Sequence, residues 1–181
     1  MSEFDVVIVG GGIAGSALAA ALAPAGISVL VIERQMQYRD KVRGEYMHPW
    51  GTAEMQRLGL EEALFAAGGG FCTSVVGYGE HVDPSTAEAA AIPLSMLMPG
   101  VPGAFAVGHP QASESLNVVA QQRGAVVVRG VGDVEVVAGP APRVRYELDG
   151  AFHDVPCRLV IGADGRQSTV RRGLGIELQY Q

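Results

Sequence analysis

The chain has 181 residues, of which 48% are hydrophobic and 18% are charged, values typical of a globular protein with one sizeable core. The net charge of −6 and the lack of a basic stripe argue against nucleic-acid binding. Glu3 and Asp5 stand where a signal peptide would carry positive charge, and no apolar run is long enough to span a membrane. We therefore expect a cytoplasmic protein.

The first predicted unit combines a strand, a glycine turn, a helix and a second strand. Residues 4 to 9 form the continuous apolar run of a parallel strand covered on both faces. Residues 13 to 25 are rich in alanine and leucine and stop at "PAG", a pattern that predicts a helix. Residues 28 to 32 are again apolar and β-branched. The order indicates a βαβ unit.

The middle of the chain changes character twice. A polar loop precedes a predicted helix between residues 51 and 67, which breaks at "LGL". Residues 71 to 107 include the possible strand "FCTSVVGYG" and a proline-broken stretch without helical period. We interpret residues 71 to 107 as an excursion into another sheet or subdomain.

The last third predicts a helix followed by strands. The helix "QASESLNVVAQQRG" ends at Gly124. Four short β-branched or alternating runs follow: "AVVVRG", "VEVVAG", "RVRYEL" and "AFHDV". A further apolar run, "RLVIG", leads into a loop and helix within "ADGRQSTVRRGLGI".

Three glycines after the first strand have the spacing Gly10-x-Gly12-x-x-Gly15. Between a strand and a helix, this spacing predicts a dinucleotide-binding turn. The first glycine permits the tight turn, the second lets a pyrophosphate approach the backbone, and the third lets helix and strand pack closely. The N–H groups at the helix start, around Ile13 and Ala14, face the phosphates.

Glu33 stands at the end of the second strand, 21 residues after Gly12, where a carboxylate can accept hydrogen bonds from both ribose hydroxyls. Arg34 follows it directly, and we count both among the candidate cofactor-binding residues. These features do not distinguish FAD from NAD.

The stretch "CRLVIGADGRQSTVRRGLGI" resembles the Asp-Gly motif of the flavoprotein monooxygenases related to para-hydroxybenzoate hydroxylase. The motif residues here are Asp164, Gly165, Ser168 and Arg171. The resemblance implies that Asp164 supports the FAD and its pyrophosphate loop, with Arg171 as the partner charge.

Further matches to this family occur in the same order along the chain. Arg43 lies in the loop where the family places an arginine facing the flavin pyrophosphate. The helix end "MQRLGL" and the stretch "ESLNVVAQQRGAVV" also resemble family segments. His109 occupies a position where members often carry arginine or glutamine near the ribityl chain or phosphates. These matches add Arg43 and His109 to the predicted FAD-binding residues.

The resemblance implies an α/β fold, a Rossmann-like FAD-binding domain with a parallel sheet and a β-meander, plus part of a substrate-domain sheet. Residues 1–70 and 108–181 would form the FAD-binding domain, and 71–107 would enter the substrate domain. A later Gly-Asp motif of the family does not occur. We therefore expect about the first half of such an enzyme, with the C-terminal half missing.

The implied chemistry is hydroxylation of an aromatic or polyketide-like molecule. In the family, NAD(P)H reduces the flavin, O2 adds at C4a, and the hydroperoxide delivers oxygen to the substrate. No catalytic acid or base can be assigned. His48 and Trp50 either approach the flavin ring or pack in the core.

Other functions remain open at this point. "RGEYMHP" also resembles a loop of flavin-dependent halogenases, but no lysine follows Gly70 and Phe71 at the expected place. A prenyl-chain reductase with the same FAD fold and a nucleotide-binding half-module without catalysis are further alternatives. The spacing of histidines and of Cys72 and Cys157 predicts neither a metal site nor a disulfide.

Overall fold

The computed structural model describes residues 4–40 and 45–179. Its contacts divide the chain into two compact units. The first unit contains the described residues up to Arg39 and those from Ser113 onwards, and the second runs from Asp40 to Ala112.

Strands are numbered in chain order over the described residues: β1 (Phe4–Val9), β2 (Val29–Glu33), β3 (Tyr46–Met47), β4 (Gly70–Cys72), β5 (Ser74–Val75), β6 (Ile92–Pro93), β7 (Ala104–Ala106), β8 (Val126–Arg129), β9 (Val134–Val137), β10 (Arg143–Leu148) and β11 (Ala151–Gly162). The α-helices are α1 (Ile13–Leu22), α2 (Pro49–Arg57), α3 (Glu61–Ala66), α4 (Pro84–Ala89), α5 (His109–Gln122) and α6 (Thr169–Gly173).

The first unit is built on a six-stranded sheet with the order β8-β2-β1-β11-β10-β9. The strands β8, β2, β1 and β11 pair in parallel, and β11, β10 and β9 form an antiparallel meander. The predicted α/β class, with a parallel sheet and a β-meander, is confirmed. Val7, Ile8 and Val31 at the centre are 0% exposed, as expected for strands covered on both faces.

The strand β11 corrects the prediction of two separate strands in "AFHDV" and "RLVIG". It runs unbroken through Pro156, pairing with β10 in its first half and with β1 in its second. Proline cannot donate to a ladder, but here Cys157 supplies the next bond, from its N–H to the Pro142 carbonyl at 3.0 Å. One long strand thereby joins the meander to the parallel sheet.

The predicted first helix is confirmed with a different ending. The α-helix stops at Leu22, and residues Ala23–Ala25 continue as a 3-10 turn. Gly26 then adopts φ +78°, a left-handed conformation that glycine reaches without strain. The chain therefore turns at "PAG" into β2.

The second unit contains α2 to α4 and two small antiparallel sheets, β3-β7-β4 and β5-β6. The predicted break at "LGL" is confirmed, because Gly59 has φ +62° between α2 and α3. The short helix α4 was not predicted; it starts at Pro84, with the Asp83 carboxylate accepting hydrogen bonds from Ser85 and Thr86. No helix within the described ranges is long and apolar enough to cross a membrane.

Candidate nucleotide-binding site

The glycine turn packs directly against the Asp-Gly loop. Gly10 has φ +108°, and a Cβ atom at this position would lie 2.4 Å from the Ala163 carbonyl oxygen and 2.8 Å from the Asp164 Cα. The Ala163 N–H also donates to the Val9 carbonyl at 2.7 Å. Two motifs separated by about 150 residues in the sequence therefore meet at the ends of the neighbouring strands β1 and β11.

The other two glycines of the fingerprint differ in how closely they are packed: Gly15 is in tight contact and Gly12 is not. A Cβ on Gly15 would lie 2.0 Å from the Gly10 carbonyl oxygen and 3.2 Å from the Ile8 Cγ2. A Cβ on Gly12 would meet nothing within 4 Å. Gly15 thus allows helix α1 to pack on the turn, whereas Gly12 borders open space.

The start of α1 follows Gly12 directly and has unpaired N–H groups. Ser16 N–H donates to the Gly12 carbonyl at 3.0 Å, and Gly12 provides no side-chain cap. Within residues 4–40 and 45–179, the N–H groups of Gly12, Ile13, Ala14 and Gly15 donate to no acceptor. The first turn also has no acidic side chain. These groups and the helix dipole favour an anion.

Glu33 lies beside the same turn and is only 7% exposed. Its Oε2 accepts a hydrogen bond from Gly11 N–H at 2.6 Å, and its Oε1 accepts one from Gln35 N–H at 2.7 Å. Each carboxylate oxygen keeps a further lone pair, so ribose hydroxyls can still donate to it. The neighbouring Arg34 is exposed.

The Asp164 carboxylate accepts hydrogen bonds at the start of helix α6, whose N-cap residue is Ser168. Its Oδ2 accepts hydrogen bonds from Thr169 N–H at 2.6 Å and Val170 N–H at 3.2 Å, and its Oδ1 accepts one from the Ser168 hydroxyl. Ser168 in turn accepts from Arg171 N–H at 2.9 Å. The aspartate and serine of the motif therefore satisfy three N–H groups at the helix start.

The expected charge pairing of Asp164 with Arg171 is absent from the described part of the chain. The Arg171 Nη1 instead donates to the Ile176 carbonyl at 2.9 Å, across the C-terminal end of α6. The backbone N–H groups of α6 already occupy the Asp164 carboxylate. Gly165 follows with φ +81°, which explains a glycine after the aspartate.

His109 and Arg43 are the remaining predicted residues. His109 is the first residue of α5 and belongs to the second unit; its buried Nδ1 has no hydrogen-bond partner among the residues described. Arg43 lies outside the described residues. In the second unit Trp50 is 55% exposed and stacks on His48, with ring centroids 4.4 Å apart. Trp50 is therefore not a core residue of that unit.

A polar cluster behind the turn was not predicted from the sequence. The Gly11 carbonyl accepts hydrogen bonds from Ser16 Oγ at 2.7 Å, Tyr38 Oη at 2.5 Å and Asn117 Nδ2 at 2.7 Å. Arg129 lies over the Tyr38 ring, 4.6 Å from its centroid. The sequence feature that indicates the cluster is Asn117, a polar residue on the apolar face of a predicted helix. Leu116 and Ala120 on the same face are 0% exposed.

Cys157 is buried and Cys72 half-buried, and neither forms a disulfide. The described residues contain no group of three or more His, Cys, Asp or Glu side chains that could hold a metal ion.

The site's donors fit a dinucleotide. Unpaired N–H groups suit a pyrophosphate, and the adjoining carboxylate suits a ribose. The fold and site together define a Rossmann-type nucleotide-binding domain.

The family follows from a match over residues 3–181 to the FAD binding domain family. The chain belongs to this family of flavoproteins.

Curated relatives include oxidoreductases of two kinds. A menaquinone reductase from Mycolicibacterium smegmatis is 34% identical over 172 residues, which cover 94% of this chain and 40% of the relative. A squalene monooxygenase from Panax ginseng is 32% identical over 177 residues, which cover 94% of this chain and 31% of the relative. The chain therefore spans about two fifths or less of these relatives.

Solved structures of hydroxylases share the fold. OxyS, an anhydrotetracycline hydroxylase from Streptomyces rimosus, matches with a TM-score of 0.79 and 26% identity, covering 99% of this chain and 35% of that chain. CabE, an aromatic hydroxylase from angucycline biosynthesis, matches with a TM-score of 0.74 and 27% identity, covering 96% of this chain and 33% of that chain. The predicted resemblance to flavoprotein hydroxylases is confirmed.

Proposed function

We propose that this chain is the FAD-binding part of a monooxygenase. The enzyme would use NAD(P)H and O2 to hydroxylate an aromatic or polyketide-like small molecule. The observation that carries the proposal is the packing of the Gly10 turn on the Ala163–Asp164 backbone, which unites the glycine and Asp-Gly motifs in one site. The similarity to OxyS and CabE supports a hydroxylase.

The proposed residue roles follow from the site geometry. The unpaired N–H groups of Gly12, Ile13, Ala14 and Gly15 would bind the FAD pyrophosphate, and Gly10 would shape the turn. Glu33 would accept hydrogen bonds from the adenosine ribose.

A second set of residues completes the proposed FAD site. Arg34 would lie beside the ribose, and the capped loop of Asp164 and Gly165 would close the site next to the turn. Arg43, His109 and Arg171 are proposed FAD contacts on the family resemblance alone. When bound, FAD would supply the two-electron chemistry that links NAD(P)H to O2.

The proposed division into domains keeps the expected boundaries. Residues 1–70 and 108–181 would serve FAD binding, and residues 71–107 would belong to a substrate domain completed by further sequence. Its substrate would be a small molecule, since OxyS is an anhydrotetracycline hydroxylase and CabE is an aromatic hydroxylase.

The first test is whether the purified protein retains FAD after excess cofactor is removed. Flavin absorbance retained by the wild type supports the proposed site. If Gly12→Ala retains no flavin absorbance, the site is located at the glycine turn. A protein that binds NAD and not FAD contradicts the proposal. A protein that binds neither nucleotide contradicts an FAD site held by these residues.

A second candidate function is reduction of a substrate without oxygen insertion. The similarity to menaquinone reductase favours it, since 94% of this chain aligns with that protein. The two functions differ in their need for oxygen. NAD(P)H oxidation that requires O2, with label from 18O2 in the product, identifies a monooxygenase; substrate-dependent oxidation under nitrogen identifies a reductase.

A further inference from the structure

The carbonyl group of Gly11 is held by donors from three separate segments. Ser16 belongs to α1, Tyr38 follows β2, and Asn117 lies in α5, 106 residues from Gly11 in sequence. Ser16 is 0% exposed and Asn117 is 2% exposed. One donor is enough to satisfy a buried backbone carbonyl, and this one has three. The three donors together determine the direction of the Gly11 C=O bond.

The direction of the Gly11 carbonyl sets the direction of the next N–H group. Because the peptide bond is planar and trans, the Gly11 C=O and the Gly12 N–H point in opposite directions. The carbonyl points into the buried cluster, and the Gly12 N–H therefore points away from it. A Cβ atom on Gly12 would meet nothing within 4 Å, and the Gly12 N–H has no acceptor within the described ranges.

The orientation of the Asn117 amide is settled by its neighbours. Its Nδ2 lies 2.7 Å from both the Gly11 and the Ser113 carbonyl oxygens, which can only accept hydrogen bonds. The NH2 group must therefore face them. The opposite atom, Oδ1, is buried with no hydrogen-bond partner among the described side chains and backbone.

The buried Asn117 amide is not the side chain that would give the highest stability at this position. A buried amide with an unpaired oxygen costs free energy, and an apolar residue of similar volume avoids that cost. Asparagine also has a lower helix propensity than leucine. A side chain kept at such a cost suits a role in positioning the turn.

From these observations we propose that Asn117 is a positioning residue for cofactor binding. With Tyr38 and Ser16, it holds the Gly11–Gly12 peptide so that the Gly12 N–H is directed at the pyrophosphate before the cofactor arrives. This inference rests on the proposed FAD site. Preorganised donors bind more tightly because no reorientation accompanies binding.

The experiment compares ADP, which carries a pyrophosphate, with adenosine, which does not. Titrations followed by NMR or calorimetry give both affinities for the wild type, Asn117→Leu and Ser113→Ala. Loss of one preorganised hydrogen bond to a charged group is expected to weaken ADP binding by roughly 10- to 100-fold in Asn117→Leu. Adenosine affinity should change less than about threefold, an effect below 1 kcal/mol.

Ser113→Ala is the matched control. Ser113 lies one turn earlier on α5 and is 0% exposed, and its Oγ has no partner among the described residues. Its removal should leave the ADP affinity unchanged. The Gly12 amide resonance should shift on ADP addition in the wild type and in Ser113→Ala, and should shift less in Asn117→Leu.

Equal losses of ADP and adenosine affinity in Asn117→Leu, or unchanged ADP affinity, overturn the positioning role. If Asn117→Leu does not fold, Tyr38→Phe and Ser16→Ala test the same carbonyl; wild-type ADP affinity in both contradicts the proposal. A wild type that fails to bind ADP and FAD overturns the proposed site itself, so the two failures are distinguishable.

Discussion

Gly15 and Gly10 approach each other so closely that a Cβ atom on Gly15 would stand 2.0 Å from the Gly10 carbonyl oxygen. The obstacle is backbone, which cannot move aside as a flexible side chain can. This contact fixes how near the start of α1 comes to the end of β1.

Gly15→Ala should therefore destabilise the protein. Helix α1 must shift away from the turn, and overpacking of this kind costs about 1–3 kcal/mol. Chemical denaturation measures the loss. A variant with wild-type stability would show that the turn relaxes without cost.

Gly12→Ala should leave the stability of the protein almost unchanged and should abolish FAD binding. Its φ of −69° is accessible to alanine, and the added methyl meets nothing within 4 Å, so stability should stay within about 0.5 kcal/mol of wild type. FAD binding should be lost because the methyl occupies the space proposed for the pyrophosphate. Flavin fluorescence titration measures the affinity of this variant for FAD. An FAD affinity equal to that of the wild type contradicts the assignment of the pyrophosphate to Gly12.

Asp164→Ala should destabilise the protein by about 1–2 kcal/mol, since two N–H groups of α6 lose their acceptor. Asp83 is the comparison residue, because its carboxylate also accepts hydrogen bonds from two N–H groups at the start of a short helix, α4 in the second unit, although Asp83 is the N-cap residue itself. The Asp83 hydrogen bonds are exposed to solvent and those of Asp164 are partly buried. Asp83→Ala should therefore cost less, and an equal or larger cost would argue against burial as the cause.

The Tyr38 phenol should titrate at a higher pH than an ordinary tyrosine. Burial, and to a smaller extent the charge of Glu33, raises the pKa of Tyr38 to about 12 from 10.0. Its neutral form is favoured in the folded state, so the associated stability is complete below pH 10 and is lost as pH rises through about 12. The stability difference between wild type and Tyr38→Phe should then shrink over this interval. A Tyr38 phenol that titrates near 10 in ultraviolet difference spectra contradicts the expectation.

Asp5 should contribute to acid stability. Hydrogen bonds from Ser28, followed by the interaction with Arg158, lower the pKa of Asp5 to about 2 from 3.8. The carboxylate is favoured in the folded state, so its contribution is present above pH 3.8 and is lost as pH falls through about 2. Asp5→Asn should remove this part of the acid transition. The Ser28 backbone N–H is the largest cause and persists in Ser28→Ala, so Ser28→Ala and Arg158→Gln should each change the transition less than Asp5→Asn does.

Much of the nucleotide-binding half of the first unit was predictable from local patterns. The strand at residues 4 to 9, the glycine turn and the helix after it follow from continuous apolar residues, glycine spacing and helix-stop signals that act within a few residues. The break at "LGL" was predictable for the same reason, since Gly59 adopts a conformation that ends a helix locally.

Pairing between distant segments was harder to predict. The run at residues 151 to 162 contains a proline and a change of partner, so its local pattern suggested two strands. Its continuity depends on β10 and β1, which lie on either side of it. The short helix α4 was missed because its start depends on a single capping aspartate before a proline.

The sequence by itself determined the class of fold and the nucleotide fingerprint, because glycine spacing and apolar runs encode local backbone geometry. Only the tertiary structure decided what holds the fingerprint in place. The Gly11 carbonyl meets Tyr38 and Asn117 at hydrogen-bonding distance, and the Asp164 carboxylate binds the α6 backbone while Arg171 binds Ile176. Such partners are chosen by packing between segments far apart in the chain, and no local pattern specifies them.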